Sequence, residues 1–220
     1  MNIDWKKYVD HIYCITCDEN VNRYNDLINT LNYANINVND KKLINIISDK
    51  FDNYSTKDLI IKHYKACEEC INNNYKRILV LEDDIRILNN ENKIIEYLNN
   101  IPENFDICLL DYQIPKEYEN TISNIINSNL YYFKYDNLYS TAAYIISYDG
   151  CQKFINKYSV NFMPEIDLLY NNLLDSKISI RENIFIQYEY SNKLHNKFNT
   201  KINYINRNKL NFKNYYMYND

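Results

Sequence analysis

Glycine and proline are scarce in this sequence. Its 220 residues include one glycine, Gly150, and three prolines. Walker A phosphate loops and dinucleotide-binding fingerprints each need several glycines, because their backbones approach the phosphates closely. Both kinds of phosphate-binding loop are therefore excluded by count. Any nucleotide that this chain binds must be held by other groups.

Long apolar runs are also absent. No run reaches the roughly 18 to 20 residues that a membrane-spanning helix needs. The N-terminal residues, MNIDWKK, lack the charged and then apolar order of a secretory signal. We therefore expect no membrane span and a cytoplasmic location.

Basic residues are outnumbered in most of the chain and concentrated at its end. Of the 25 basic and 29 acidic residues, six basic and one acidic lie in 192–220, so residues 1–191 carry a net charge of −9 and the remainder +5. An acidic body argues against a nucleic-acid partner. The pattern predicts one domain over 1–191 and a basic C-terminal tail over 192–220. The tail is either a solvated end or a flap that closes over a phosphate-bearing ligand.

Short apolar runs alternate with segments of helical spacing, which is typical of an α/β domain with a largely parallel sheet. The predicted strands fall within 11–16, 43–47, 77–81, 105–111, 130–133 and 141–147. The predicted helices cover 22–33, 55–74, 149–158 and 166–174. In the second helix, apolar residues and His63 recur three or four apart and form one inward stripe.

Two CxxC pairs, Cys14 with Cys17 and Cys67 with Cys70, raise the question of zinc. Cys14 lies in a predicted strand, where residues three apart point to opposite faces. Cys67 and Cys70 lie on the buried face of a helix, without the tight turn of a zinc knuckle. Buried free thiols are therefore favoured over a zinc site, and disulfides are not expected without a secretory signal.

Three consecutive acids, Glu82, Asp83 and Asp84, end the most apolar predicted strand. Like charges this close raise one another's pKa, so a compensating cation is expected. In extended geometry Glu82 and Asp84 point to one side and Asp83 to the other, so two carboxylates can converge on one Mg²⁺ or Mn²⁺. Such an ion at the carboxyl edge of the sheet could bind a diphosphate. The alternative is that the acids open a solvated loop, and their spacing does not separate the two.

With these acids the sequence resembles glycosyltransferase family 25, which contains lipooligosaccharide and collagen hydroxylysine galactosyltransferases. The likeness extends from about Ile12 to Ser191 and depends on five segments in order. They are an opening strand with the acids and arginine that follow it (12–23), a helix with a histidine (62–66), the acidic string (80–85), a strand (140–147) and a Pro-x-x-Asp segment (164–167). Three departures stand out: Lys62 replaces the family's usual serine, Ser140 replaces its usual glycine, and the acids and arginine of the opening segment are spaced more loosely over 18–23.

The resemblance implies a GT-A-like fold, a single domain with a central mixed, mostly parallel sheet flanked by helices. It implies that the acids are a DXD-type site, which holds a metal on the diphosphate of a nucleotide sugar through Glu82 and Asp84, with His195 completing the site when the tail closes. Asp83 belongs to the same site. Arg23 would bind the nucleotide or its phosphates; the alternative is a surface arginine. His63 would brace the metal strand, and a hydrogen-bonded core histidine is the favoured interpretation.

Known activities in the resembled family invert the anomeric centre, which requires a carboxylate base on the acceptor side. Asp167 is the first choice for this base and Asp111 the second. Helix capping or solvation is the alternative for each. Tyr144 and Tyr188 are candidates for stacking on a sugar or a base.

We therefore expect a metal-dependent glycosyltransferase, using Mn²⁺ or Mg²⁺, that moves galactose or glucose from a UDP-sugar to a hydroxyl group of a sugar or a hydroxylated protein. The alternative is a catalytically inactive relative that binds a glycan or a protein partner. An inactive relative has no reason to retain the acidic triplet. The triplet is intact, which favours the enzyme.

Overall fold

The computed structural model describes residues 1–16, 21–52, 55–112, 131–135, 140–157 and 166–187. The strands are β1 His11–Ile15, β2 Ile44–Ile47, β3 Arg77–Glu82, β4 Ile85–Ile87, β5 Ile107–Leu109, β6 Tyr132–Lys134, β7 Ala143–Ser147, β8 Lys177–Ile180 and β9 Phe185–Gln187. The helices are α1 Val21–Tyr33, α2 Ser55–Asn72, α3 Glu91–Asn99, α4 Tyr148–Lys157 and α5 Ile166–Leu173. Each strand and helix that the sequence predicts is present, and β4, α3, β8 and β9 are additional.

Within the described residues, seven strands form the main sheet, in the order β2-β1-β3-β7-β5-β8-β6. β1 is parallel to β2 and β3, and β5 is parallel to β8. β7 is antiparallel to both of its neighbours, and β6 is antiparallel to β8. Five strands therefore run in one direction and two against it, which confirms the predicted mixed, mostly parallel sheet.

The pairing of β1 with β3 places Ile15 opposite Glu82, so the ends of these two strands meet at one edge of the sheet. Beyond this edge β4 pairs antiparallel with β9, with Ile85 opposite Gln187. This small second sheet brings Gln187 close to Asp84, although the two residues are more than one hundred positions apart in the sequence.

The apolar core lies on both sides of the main sheet. β3 is buried on both faces: Leu79 and Leu81 join the cluster beneath α1 and α3, while Ile78 and Val80 join the cluster beneath α2, α4 and α5. A central strand covered on both faces is expected to be a continuous apolar run rather than an alternating one. The abrupt change from this run to three acids therefore marks where the chain leaves the core.

Helix α2 begins at Ser55, as predicted, and ends at Asn72, two residues earlier than predicted. Its inward stripe is present, with His63, Ala66, Cys67 and Cys70 fully buried. Cys14, Cys67 and Cys70 are buried free thiols, as the sequence predicts, and Cys17 lies outside the described residues.

The predicted basic tail over 192–220, with His195, lies outside the described residues, as does Tyr188. Among the helices that the structure describes, none has the length and apolarity needed to cross a membrane.

Candidate active site

The acidic triplet is buried where β3 ends. Glu82 is the last residue of β3, and Asp83 and Asp84 form the turn that leads into β4. Only 8%, 3% and 3% of these three residues are exposed. The alternative of a solvated loop is therefore wrong, because the carboxylates are held by partners inside the protein.

Arg23, in the first turns of α1, is the cation nearest to two of the acids. Its guanidinium contacts a carboxylate oxygen of Asp83 and lies 3.1 Å from Oδ2 of Asp84. The arginine side chain is 17% exposed, so it is not a surface arginine. Thr16, directly after β1, donates from its hydroxyl to Oδ2 of Asp83 at 2.8 Å.

Glu82 faces a different set of partners. The hydroxyl of Thr141 donates to its Oε1 at 2.9 Å, and Nε2 of His63 lies 3.4 Å from the same oxygen. Burial raises the pKa of Glu82, but the contacts with His63 and Thr141 outweigh burial and hold that pKa below its usual range. The expectation of an extended backbone through the three acids is thus wrong. The turn ends the alternation, so that Asp83 and Asp84 share Arg23 instead.

Asp84 is the least compensated member of the triplet. Its Oδ2 accepts a hydrogen bond from Gln187 at 3.2 Å, whereas its buried Oδ1 has no hydrogen-bond partner among the described residues. Burial and the nearby charges of Glu82 and Asp83 raise the pKa of Asp84 to about 8, although Arg23 opposes the rise. The cluster is therefore short of positive charge.

A divalent cation fits this donor set. Carboxylate oxygens are the ligands that Mg²⁺ and Mn²⁺ prefer, and the unpartnered Oδ1 of Asp84 is such a donor. Within the described ranges no three His, Cys, Asp or Glu side chains converge into a complete metal site. An ion held by Asp84 and Glu82 would accordingly take its remaining ligands from residues outside the described ranges, from water or from a bound diphosphate.

Asp111 lies just beyond the end of β5 and is held by two neighbours. Its Oδ2 accepts from the hydroxyl of Ser140 at 2.7 Å, and its Oδ1 accepts from the side-chain amide of Asn183 at 3.1 Å. Ser140 has a φ of 100°, a region that favours glycine. The strained backbone thus occurs at the position where the resembled family usually has glycine.

Asp167 occupies the first turn of α5 and is partly buried. It lines a narrow crevice of about 10 Å³, the size of a single water molecule, together with Ser140, Thr141, Tyr170 and Asn171. Thr141 is also the residue that donates to Glu82, so this crevice adjoins the acidic triplet. The two candidate bases therefore lie near the acids, Asp167 directly on the crevice and Asp111 through its contact with Ser140.

His63 is fully buried and hydrogen-bonded, which confirms the interpretation as a core histidine beside the acidic strand. Its Nδ1 lies 2.7 Å from the hydroxyl of Tyr144. The proposal that Tyr144 stacks on a ligand is wrong, because its side chain is fully buried and its hydroxyl is hydrogen-bonded inside the core.

Several residues of the site were not predicted from the sequence. Thr16 and Thr141 carried a signal, since each stands at an end of a predicted strand beside the expected site. No local feature of the sequence points to Gln187 or Asn183. The short β8–β9 region, far along the chain, brings both residues to the acids.

Comparison with a model of the family described as glycosyltransferase family 25 (LPS biosynthesis protein) gives a match over residues 60–170, half of the chain. This range includes α2 from residue 60 onward, the acidic triplet, Asp111 and Asp167.

Two proteins of known sequence match over a longer range. Human procollagen galactosyltransferase 2 is 27% identical over 158 residues, which cover 62% of this chain and 24% of that protein. A protein of Acanthamoeba polyphaga mimivirus, named as a glycylpeptide N-tetradecanoyltransferase, is 28% identical over 167 residues, covering 74% of this chain and 42% of that protein. The chain thus spans less than half the length of either relative. The two names describe different reactions, so the family match carries the assignment.

One solved structure with a similar arrangement is a glycosyltransferase involved in the glycosylation of the major capsid of PBCV-1. It is 8% identical with a TM-score of 0.45, and the alignment covers 80% of this chain and 92% of that chain.

Proposed function

The chain belongs to glycosyltransferase family 25, and from this we propose that it transfers a hexose, galactose or glucose, from a UDP-sugar to a hydroxyl group of a sugar or a hydroxylated protein. The α/β architecture described above is its GT-A-like domain. The observation that carries the proposal is the burial of three intact carboxylates, two of which contact one guanidinium, at the carboxyl edge of the sheet. Open α/β sheets bind their ligands at this edge.

Asp84 and Glu82 are the residues that would hold Mn²⁺ or Mg²⁺, with His195 joining them from the tail. When bound, the ion would neutralise negative charge on the diphosphate leaving group. The unpartnered Oδ1 of Asp84 and the charge deficit of the cluster support this assignment.

Arg23 is the residue that would bind the phosphates of the UDP-sugar donor. A guanidinium forms charge-assisted, frequently bidentate hydrogen bonds with phosphate oxygens. Asp83 keeps this guanidinium at the edge of the cluster, and Thr16 fixes the other oxygen of Asp83. Three side chains from α1, the β3–β4 turn and the end of β1 would thus orient the diphosphate.

Asp167 is the proposed general base. The acceptor hydroxyl oxygen would attack the anomeric carbon, its proton would pass to a carboxylate oxygen of Asp167, and UDP would leave with the bonding electrons, so that the configuration inverts. Asp111 is the second choice, because both of its carboxylate oxygens already accept hydrogen bonds, one from Ser140 and one from Asn183.

The same proposal divides the chain into two parts with different roles. Residues 1–191 would form the catalytic domain, and the basic segment 192–220 would close over the donor diphosphate. Its six basic residues match the charge of that ligand.

Release of UDP from a panel of UDP-hexoses by the full chain with Mn²⁺ tests this function. We expect slow hydrolysis of UDP-galactose or UDP-glucose, and loss of that hydrolysis in Asp84→Asn. Asp175→Asn is the matched control, because this acid lies on the surface, where it pairs with Lys153. No release from any donor would favour an inactive relative that binds a glycan or a protein.

A further inference from the structure

Lys62 is a buried cation beside the end of β1. Its side chain on α2 is only 2% exposed, although lysine is among the residues that are rarely buried. Its ammonium lies 2.8 Å from Oδ2 of Asp58 and donates at 2.8 Å to the backbone carbonyl oxygen of Thr16. The family usually has serine at this position, and a serine hydroxyl lies too close to the backbone to reach both partners. These contacts therefore depend on the lysine of this chain.

Asp58, in the first turn of α2, joins Lys62 to the loop after β2. Its Oδ1 accepts hydrogen bonds from the backbone amides of Phe51 at 2.7 Å and Asp52 at 3.2 Å, while its Oδ2 faces the lysine. Burial raises the pKa of Asp58, but the hydrogen bonds from Lys62 and from the two amides outweigh burial and hold that pKa below its usual range. One ionised carboxylate therefore holds both the loop and the lysine.

Thr16 uses its polar groups on three different elements. Its amide donates to the carbonyl oxygen of Ile47 on β2 at 3.1 Å, its carbonyl oxygen accepts from Lys62 on α2, and its hydroxyl donates to Oδ2 of Asp83 at 2.8 Å. The pairing of β1 with β2 and β3 ends at Ile15, so the carbonyl of Thr16 lies just beyond the paired strand. Lys62 therefore fixes the backbone of the residue whose hydroxyl holds Asp83.

The contacts continue from Asp83 to the guanidinium of Arg23. One oxygen of Asp83 accepts from Thr16, and the other contacts Arg23. Among the described residues, Lys62 has polar contacts with Asp58 and Thr16. An effect of Lys62 on Arg23 would therefore pass through the threonine and the aspartate between them.

The buried pair of Lys62 and Asp58 can supply geometry without supplying net stability. Replacing a buried ion pair by apolar residues of similar volume is often neutral or stabilising, because both charges lose their hydration on burial. Such a replacement would nevertheless remove the directional hydrogen bonds that the pair makes to three backbone groups. The contribution to position and the contribution to stability can therefore be separated by experiment.

We propose that Lys62 and Asp58 are a positioning pair, which fixes the end of β1 and the loop after β2. Through Thr16 and Asp83 this pair holds the guanidinium of Arg23 where the donor diphosphate would bind. The position of the guanidinium depends on the contacts alone, whereas the effect on the donor rests on the proposed function. Neither member of the pair touches substrate in this scheme.

The first test needs no donor. In a ¹⁵N NMR spectrum of the metal-free full chain, the Nε–H signal of Arg23 reports the surroundings of its guanidinium, and Arg23→Lys assigns that signal by its loss. Thr16→Val removes the hydroxyl and keeps the shape of the side chain, so the Arg23 signal should shift. Lys62→Met should also shift it. Lys6→Met, which removes a surface pair with Asp40, should leave it unchanged.

A double variant separates positioning from loss of stability. Lys62→Met leaves the carboxylate of Asp58 without its cation and can unfold the protein. Asp58→Leu combined with Lys62→Met replaces the whole pair by apolar side chains, so the double variant should unfold at a higher urea concentration than Lys62→Met alone. The Arg23 signal should nevertheless stay shifted, because methionine donates no hydrogen bond to Thr16. A wild-type Arg23 signal in a folded double variant would overturn the inference.

The second test measures the donor. Residues that orient metal ligands contribute about 10-fold to 100-fold to affinity or activity, and a pair that orients a phosphate-binding arginine should contribute similarly. With Mn²⁺ present, Thr16→Val and the double variant should therefore raise the KM for the UDP-sugar by about 10-fold or more. The kcat should change little, because an interaction lost equally from the bound donor and the transition state changes KM alone. Lys6→Met should change neither quantity.

The two tests fail separately. A wild type that releases UDP from no donor would contradict the proposed function, and the Arg23 spectrum would still decide whether the pair positions the guanidinium. An Arg23 signal that is identical in the wild type, Thr16→Val and the double variant would overturn the inference. A shifted signal with an unchanged KM in the active enzyme would overturn the link to the donor.

Discussion

The guanidinium of Arg23 lies 3.1 Å from Asp84 and also contacts Asp83, so one cation serves two carboxylates of a buried triplet. Glu82 adds a third negative charge close enough to raise the pKa of Asp84. Burying like charges is costly unless they are compensated. A ligand that brings positive charge to this cluster should therefore stabilise the folded protein.

A thermal shift measures this compensation. UDP with Mn²⁺ should raise the melting temperature, whereas UDP with EDTA should not. At a ligand concentration of 100 times Kd the stabilisation should be about 2.7 kcal/mol, which a melting scan resolves. Equal shifts with and without chelator would argue against a metal between the acids and the diphosphate.

Asp84→Asn should change stability and activity in opposite directions. The substitution keeps the shape of the side chain and removes a buried carboxyl whose raised pKa shows that the fold opposes its ionisation, so the metal-free protein should become more stable by about 1 kcal/mol or more. Turnover of UDP-sugar should be lost, because the unpartnered oxygen is the proposed metal ligand. Asp83→Asn is the matched comparison: its oxygens are held by Arg23 and Thr16, so this variant should lose stability. Normal turnover in Asp84→Asn would remove the metal role.

The elements of this site were predictable and its contacts were not. The apolar run of β3 and the stripe of α2 appear in local periodicity, so the strand that carries the acids and the helix that carries His63 could be located from the sequence. The direction of each acid could not, because the tight turn through Asp83 and Asp84 ends the alternation of the strand. Strand alternation holds only while the backbone stays extended.

Contacts between distant segments depend on topology. Gln187 reaches Asp84 because β9 pairs with β4, and no local pattern indicates that pairing. The contact between Tyr144 and Tyr170 could not be predicted either, since a chain with 24 tyrosines offers no basis for pairing two of them. The positive φ of Ser140 was indicated only by the glycine that the resembled family usually has at this position.

Two substitutions of Ser140 should differ in a way that measures backbone strain. Ser140→Ala keeps the β carbon at a φ of 100° and loses the hydroxyl that donates to buried Asp111. Ser140→Gly loses the same hydroxyl but relieves the strain, which is of order 1–3 kcal/mol at such positions. In urea unfolding the glycine variant should therefore be more stable than the alanine variant by about 1 kcal/mol or more. Equal stabilities would show that the backbone is not strained at this position.

The buried His11, which lies outside the acidic cluster, should make the stability of the protein depend on pH. It is buried at the start of β1 and stacks on Tyr75 with ring centroids 5.2 Å apart. Burial lowers the pKa of His11 below 6.5, although the charges of Glu69 and Asp40 oppose the shift. Below that pH the unfolded chain binds the proton more readily than the folded one. The stability that neutral His11 contributes is therefore present above pH 6.5 and is lost as the pH falls.

Urea unfolding between pH 5 and pH 7.5 tests this sign. The wild type should lose up to about 1.4 kcal/mol per pH unit below 6.5 through this one group. His11→Phe keeps a ring for Tyr75 to stack on and removes the titration, so its stability should fall less steeply over the same range. Parallel curves for the two proteins would contradict the assignment to His11.

Substitution of Lys62 should cause a large loss of stability, because the side chain is buried between two polar partners. Its ammonium is 2% exposed, lies 2.8 Å from Asp58 and donates at 2.8 Å to the carbonyl oxygen of Thr16. Lys62→Met would leave the Asp58 carboxylate without its cation, and breaking a buried pair from one side costs about 3–5 kcal/mol. Thr16 would also lose the group that fixes its backbone, and Thr16 in turn holds Asp83. The variant should therefore both unfold at lower urea and bind UDP with Mn²⁺ more weakly. Lys6→Met is the matched control, because Lys6 pairs with Asp40 at the surface and its loss should cost only about 1 kcal/mol or less. If the two variants unfold at the same urea concentration, Lys62 is not the buried clamp between α2 and the end of β1.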